Sequence, residues 1–215
     1  MLISRGATMN LFAFIYVNLS VRCFECKERG AIIIEDAKLI RQIQKGDQQA
    51  FDILVRKHYQ NIYSYCVRRI GNQEVAADLT QDIFLKLVRS IYDYHFSGKF
   101  TNFLFTIAVN TCNDYYRKPR KVYENIDDLP KGDDRPTPID TILRNEQAQF
   151  VKQKIDELPD IQKEAIILYY YHGIKAKDIA KIVGVSLSTV KSRLKQGKDK
   201  LKKSFSEEDY FERPR

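Results

Sequence analysis

The sequence predicts an all-α protein: two small helical domains joined by a flexible acidic linker, with a helix-turn-helix as the C-terminal domain. Three observations carry this expectation. Apolar residues recur every three to four positions from about Ala37 to Lys118 and again from about Asp140, and no strand-like alternation appears. Between these stretches, residues 122–149 contain three prolines and seven acidic residues against three basic ones, the composition of a linker. Near the C-terminus, a glycine turn separates a short apolar-patterned helix from a long basic one.

The elements follow in order. Leu39, Ile40 and Ile43 mark a first helix that breaks at Gly46-Asp47. The second runs from near Gln48 to Ile70 on Phe51, Leu54, Val55, Ile62, Cys66 and Ile70, and Gly71-Asn72 ends it. The third runs from about Gln73 to Ile91, with Leu79, Ile83, Phe84, Leu87, Val88 and Ile91 on one side. After the polar-aromatic loop Tyr92–Lys99, a fourth helix covers Phe100–Lys118. Its stripe is Phe100, Phe103, Leu104, Ile107, Ala108, Thr111, Cys112 and Tyr115, one helix face that Pro119 stops. Pro159 then splits Phe150–Leu158 from Asp160–His172, which Gly173 closes. Lys175–Val183, the turn Gly184-Val185-Ser186 and a helix from Leu187 to about Ser204 complete the chain. The expected organisation is an unassigned extension over 1–37, an N-terminal helical domain over 38–121, a linker over 122–149 and a DNA-binding domain over 150–205.

Composition narrows the function classes. The 215 residues carry a formal charge of +8, which suits a polyanion partner, nucleic acid before anionic membrane. Four cysteines do not make a disulfide scaffold. Cys66 and Cys112 read as buried thiols, and the Cys23/Cys26 pair, at the spacing of half a zinc site, reads as chance because no second pair completes it. The apolar segment Met9–Val21 falls short of a membrane span and lacks a small-x-small cleavage site, so it reads as an upstream extension outside the folded protein.

The segment Ala176–Lys195 carries the helix-turn-helix signature. Ala180 is small where two helices cross, and Gly184 permits the tight turn. Ile179, Val183, Val185, Val190 and Leu194 fill the wedge, and Ser186 is placed to cap the second helix. Ser188, Ser192 and Lys195, flanked by Lys191 and Gln196, face away from that wedge and can enter a major groove. Residues 188–203 contain seven Lys or Arg and one Asp, as phosphate contact requires.

Taken together, three segments resemble bacterial RNA polymerase sigma factors of the small extracytoplasmic-function (ECF) group. The helix D-L-T-Q-D-I-F from Asp78 is similar to the family's D-x-x-Q-[DE]-x-F helix. The segment from Phe100 to Arg117 resembles its promoter-opening helix, and the T-V-K-S-R-L segment from Thr189 its promoter-reading domain. The resemblance covers about residues 38–120 and 150–203. Phe103 stands where the family usually has tryptophan, Thr106 and Val109 where basic residues are common, and Ser188 where glycine is common.

The resemblance implies a subunit that binds core RNA polymerase and directs promoter-specific initiation. It would open the minus-ten element with the N-terminal domain and read the minus-thirty-five element with the helix-turn-helix. It implies polymerase binding through Asp78, Gln81, Asp82, Leu85 and Lys86, residues that the core face Leu79, Ile83, Leu87 and Ile91 leaves exposed. Promoter opening would fall to Tyr94, Phe96, Lys99, Asn110, Tyr116, Arg117 and Lys118. An extruded base needs an aromatic or apolar pocket and hydrogen bonds, and the Asn110 amide offers both a donor and an acceptor. Duplex contact would come from Ser188, Thr189, Lys191, Ser192, Arg193 and Lys195. The family often has an anti-sigma factor as a further partner, and a cytoplasmic location follows from the same resemblance.

Two other functional classes fit these residues less well. An autonomous helix-turn-helix regulator needs a dimerisation or ligand module where this chain instead has the clamp-like and opening-like helices. A DNA-processing enzyme needs a nucleophile with a basic cluster, or carboxylates held around Mg²⁺. Here the pairs Asp127-Asp128 and Asp133-Asp134 fall in the linker, and His58, His95 and His172 are isolated in sequence. The expectation is therefore no enzyme, no cofactor, no metal and no small-molecule substrate.

Overall fold

The structure, a computed structural model, describes residues 29–95, 98–117 and 146–207. The Met9–Val21 segment, the Cys23/Cys26 pair and the linker up to residue 145 lie outside the described residues. Among those described, every regular element is helical: α1 (Arg29–Gln44), α2 (Gln48–Ile70), α3 (Gln73–Ser90), α4 (Phe100–Arg117), α5 (Glu146–Asp156), α6 (Asp160–Ile166), α7 (Ala176–Ile182) and α8 (Leu187–Glu207). A π-helical turn, Ile167–Tyr171, continues α6.

Helix ends follow local chemistry. The Asp47 carboxylate accepts from the Ala50 N–H at 3.1 Å and starts α2. Gly71, in the left-handed region at φ 85°, ends it. The next residue, Asn72, caps α3 by accepting from Val75 N–H at 2.9 Å. This back-to-back pair of caps turns the chain so that α2 and α3 pack as an antiparallel hairpin. The turn after α1 is tied down from a distance: the Gln44 amide donates to the Ile91 and Tyr94 carbonyls, each at 3.0 Å.

Helix α1 begins earlier than hydropathy indicates. Its start at Arg29 lies inside the stretch read as an extension over 1–37, and two residues of that stretch anchor it. Lys57 bridges Glu35 at 2.6 Å and Asp36 at 2.9 Å, and His58 Nε2 lies 3.2 Å from both Asp36 oxygens. Asp36 is a charged residue on the inward face, so an apolar period passes over it. Likewise α5 starts at Glu146, inside the stretch read as linker. Val88, placed by its period on the inward side of α3, is exposed.

The inward faces of α1 to α4 build the core around Ile40, Leu54, Ile62, Ile83, Leu87, Leu104 and Ala108, with Cys66 and Cys112 buried as free thiols. That core does not stop at the domain boundary. It continues without a break into Ile167, Leu168, Ile174, Ile179 and Val190 of the C-terminal half. A smaller cluster of Ile155, Leu158 and Ile166, with Leu194 and Leu201 against it, holds α5, α6 and α8 together. Gly197 sits at the crossing of α8 and α6, where an added Cβ would lie 3.1 Å from Ile166 Cγ1.

The buried Asp36 pair gives a test. Burial alone would raise the pKa of this carboxyl, but hydrogen bonds from His58 and Lys57 outweigh it and hold it below its ordinary value of 3.8. A depressed carboxylate stabilises the fold above the unfolded pKa, and that contribution is lost as pH falls through the folded value. Asp36→Ala is expected to cost on the order of 2 kcal/mol at pH 7 in urea denaturation. Asp36→Asn should flatten the acid limb of stability below pH 3.8; an unaltered limb would show that the pairing contributes nothing.

Candidate functional site

The sequence indicates three surfaces, and the structure places most of their residues. On α3, the core side takes Ala76, Leu79, Thr80, Ile83, Phe84 and Leu87. Asp78, Gln81, Asp82, Leu85 and Lys86 are all left on the outer side. Leu85 is 57% exposed, beside two carboxylates. An apolar side chain standing in water among charges is the composition of a protein-contact patch. Val88, one turn beyond Leu85, and Tyr59 of α2 are exposed as well. Tyr59 stacks on Phe84 with ring centroids 6.0 Å apart, so α2 contributes as well as α3. Lys86 is partly committed: its ammonium donates to Thr111 Oγ1 at 3.0 Å and lies 3.9 Å from Asp114.

The promoter-opening set is divided. Tyr94 is not a surface platform but a core residue, 7% exposed. Its ring packs on Phe103 at 4.7 Å and Phe100 at 5.9 Å. The loop carrying it folds inward because Gln44 holds the Tyr94 carbonyl, a long-range bond with no local sequence signal. Asn110 is exposed on α4, as its expected role requires. Arg117 is highly exposed and 3.8 Å from Asp114. The Tyr116 hydroxyl donates to the Arg69 carbonyl at 2.9 Å, and the Arg69 guanidinium lies 4.8 Å from its ring centre. Lys99 reaches across to Asp178 of α7 at 3.7 Å. Phe96 and Lys118 lie outside the described residues.

The helix-turn-helix is formed by α7 and α8. Gly184 takes φ 67°, where a side chain would be strained. The Ser186 hydroxyl accepts from the Thr189 N–H at 3.1 Å and caps α8. Ile179 and Val190 are fully buried in the wedge, with Val183, Val185 and Leu194 packed against them. Ser188, Lys191, Ser192 and Lys195 are exposed along one side of the first two turns of α8. Thr189 is half-buried, and its hydroxyl joins the cap cluster 2.8 Å from Ser186 Oγ. Arg193 is half-buried, and its charge helps to hold the carboxyl of Glu164 down against the upward effect of burial. It follows Ser192 by about 100° around the helix, which turns it toward α6.

A fourth surface was not foreseen. The N-terminal domain meets the C-terminal one through α2 and α4. Phe105 and Val109 are 0% and 1% exposed although both lie off the main α4 stripe. The Phe105 ring packs 5.0 Å from that of His172, which also meets Tyr65 at 5.8 Å. His172 Nδ1 donates to Asn61 Oδ1 at 2.8 Å. Arg69 donates to Asp160 Oδ1 at 3.0 Å and lies 3.9 Å from Glu164, which also accepts from the Tyr65 hydroxyl at 3.5 Å. Arg68 lies over the Tyr171 ring at 4.5 Å. Burial pushes the Glu164 carboxyl up and Arg69 pulls it back, with the upward direction prevailing. The signal for this surface was present in α4, whose residues are apolar on two faces: Phe105 and Val109, four apart, form the second.

Among the described residues no three His, Cys, Asp or Glu side chains converge as a metal group, and no helix is long and apolar enough to cross a membrane.

Comparison with known proteins identifies the family. Residues 54–122 match the Sigma-70 region 2 family and residues 151–201 the Sigma-70 region 4 family. The chain is 31% identical over 179 residues to the ECF RNA polymerase sigma factor SigW of Bacillus subtilis, covering 78% of this chain and 95% of that relative. It is 29% identical over 181 residues to the RNA polymerase sigma-H factor of Pseudomonas aeruginosa, covering 80% and 94%. The fold resembles that of CnrH in complex with the cytosolic domain of CnrY, with TM-score 0.62 and 22% identity over 81% of this chain and 99% of that one. It also resembles the sigma factor RpoE in complex with the anti-sigma factor NepR from Bartonella quintana, with TM-score 0.57 and 20% identity over 76% and 98%. Two region matches in the family's order, on a helical frame with a capped helix-turn-helix, settle the assignment: the chain belongs to the ECF family of RNA polymerase sigma factors.

Proposed function

We propose a division of labour among the three surfaces of this sigma factor. The α3 surface, with Asp78, Gln81, Asp82 and Leu85 at its centre and Lys86 at its edge, grips the clamp of core polymerase. The exposed side of α4 and the loop before it, through Lys99, Asn110, Tyr116 and Arg117, holds the strand opened at the minus-ten element. The first turns of α8 read the minus-thirty-five duplex through Ser188, Lys191, Ser192 and Lys195, with Thr189 preserving the cap. The protein hydrolyses nothing itself, works in the cytoplasm where its polymerase is, and is held in check by an anti-sigma factor. The observation that carries the reading is the exposed Leu85 among carboxylates on one helix and the exposed basic face of a capped recognition helix on another.

The decisive experiment is run-off transcription with purified protein and bacterial core polymerase. Promoter-dependent transcripts are expected, and none above the core-only background would overturn the reading. In the same assay Asn110→Ala should reduce open-complex formation more than closed-complex binding. Gln81→Ala with Asp82→Ala should weaken polymerase binding several-fold while changing stability by less than about 0.5 kcal/mol, because both side chains are exposed. Loss of stability instead of affinity would make α3 a packing element only.

The recognition helix can be tested separately on a panel of promoter variants at two salt concentrations. Lys195→Ala should cost on the order of 1–3 kcal/mol and relax preference at one base position. Lys202, farther along α8, should act on phosphate: Lys202→Ala should weaken all sequences about equally and lower the salt slope by roughly one ion. Identical profiles for the two variants would remove α8 from the groove.

A further inference from the structure

Helix α1 ends at Gln44, and the amide of that side chain is directed at the backbone that follows α3. Its nitrogen lies 3.0 Å from the Ile91 carbonyl, 3.0 Å from that of Tyr94 and 3.4 Å from that of Tyr92. A primary amide has two N–H groups, so the two short contacts form a fork and the Tyr92 carbonyl is a weaker third partner. The end of a helix leaves carbonyls without intrahelical donors. Here the Ile91 carbonyl, just past α3, accepts from Gln44 and from the Tyr94 N–H at 3.2 Å.

Two further points fix the same loop. The Tyr94 ring meets Phe103 at 4.7 Å and Phe100 at 5.9 Å, and Phe100 in turn lies 5.3 Å from the His58 ring. The Lys99 carbonyl accepts from the Asn102 N–H at 2.9 Å where α4 starts. The backbone is therefore held at residues 91, 94 and 99. Two side chains of the loop nevertheless stay in water: Tyr92 is 56% exposed and the Lys99 side chain 44%. Gln44 recognises carbonyls, so it holds the chain without consuming either side chain. With Tyr94 buried, Tyr92 is the exposed aromatic ring among the described residues of this loop. An aromatic ring in water on a fixed backbone is a stacking platform for an unpaired base.

We propose that Gln44 is a positioning residue for promoter opening: its fork to the Ile91 and Tyr94 carbonyls sets where Tyr92 and Lys99 meet the opened minus-ten strand. Gln44 itself touches no DNA. This rests on the assignment, made above, of the loop before α4 to that strand, and it adds Tyr92 to the residues involved. The gain is preorganisation. A loop that must be ordered when the strand arrives loses affinity to the entropy of ordering. A platform free to shift also fits several bases equally, so base discrimination depends on the anchor as much as the rate of opening does.

The test uses the full chain with bacterial core polymerase, as wild type, Gln44→Ala, Gln44→Glu, Tyr92→Ala and Ile40→Val. Gln44→Glu keeps the length of the side chain but turns a carboxylate toward three carbonyls. Ile40→Val weakens the buried side of the same helix and leaves Gln44 in place. Hydrogen exchange of the Tyr94 amide reports whether the loop is held. Affinities for single-stranded minus-ten oligonucleotides carrying each base at each position report discrimination, at a temperature where every variant is folded. In both Gln44 variants, exchange should quicken about tenfold. Open-complex formation should slow, and discrimination at one position should fall, by roughly threefold or more, the scale of one or two lost hydrogen bonds. Closed-complex affinity should stay unchanged. Tyr92→Ala should lose discrimination at the same position with exchange unaltered, and Ile40→Val should keep it. Unchanged exchange in both Gln44 variants would show that Gln44 does not hold the loop. Faster exchange with intact discrimination, or an equal loss in Ile40→Val, would reduce Gln44 to a stabilising contact. Full discrimination in Tyr92→Ala would remove Tyr92 from the strand. A wild type that gives no promoter-dependent transcription with core would instead defeat the functional reading, and the exchange result would still report on the anchor.

Discussion

Helix α4 needs cover on two sides, and most of the architecture follows from that constraint. Its main stripe, with Phe100, Leu104, Ala108 and Cys112, goes into the bundle formed with α1, α2 and α3. Its second face, Phe105 and Val109, points in another direction around the helix and meets the bundle at its edge, where the Phe105 ring packs 5.6 Å from Tyr65 of α2, so the bundle alone does not cover it. Leaving a residue the size of Phe105 in water would forgo about 1.5–3 kcal/mol of burial. The helix-turn-helix domain supplies the missing cover through His172 and α7. A helix assigned to work on DNA is thus also the hinge-point of the molecule's internal packing.

The polar groups at this junction are arranged around the same need. Arg69 lies near the end of α2 and is almost fully buried, so its charge must be met nearby. Asp160, at the start of α6, provides one hydrogen bond, and Glu164, one turn later, provides a second carboxylate. The π-helical turn after α6 lies beside this site and leads directly to His172, which bridges Asn61 by hydrogen bond and Tyr65 and Phe105 by ring packing. Irregular helix geometry is a frequent companion of function. Here it is the element through which the C-terminal half reaches the N-terminal one.

The individual elements were largely legible in the sequence because their signals are local. Asp47, Gly71, Asn72 and Ser186 define helix ends by bonding to atoms within four residues, and Gly184 announces its turn by the conformation that only glycine adopts readily. The exposed side of α3 could be found by subtraction, since four apolar residues at helical spacing fix which side faces inward. The errors have a common origin in long-range contacts. Asp36 starts the fold earlier than expected because it meets His58 and Lys57. Tyr94 is buried because Gln44 draws its loop inward.

The sequence by itself determined the helical class, the helix-turn-helix with its cap and turn, the exposed clamp-like surface of α3 and the family resemblance, all of which are written in spacings of three or four residues. Only the tertiary structure decided that the two domains share a core, that Phe105 and Val109 are interface residues, and that Lys99 and Tyr116 are held across or beside that interface. The physical reason is the range of the information. A helical period records which side of a helix is apolar, but not which distant helix will cover it. An ion pair such as that of the buried Arg69 with the exposed Asp160 joins residues 91 positions apart and leaves no trace in either neighbourhood alone.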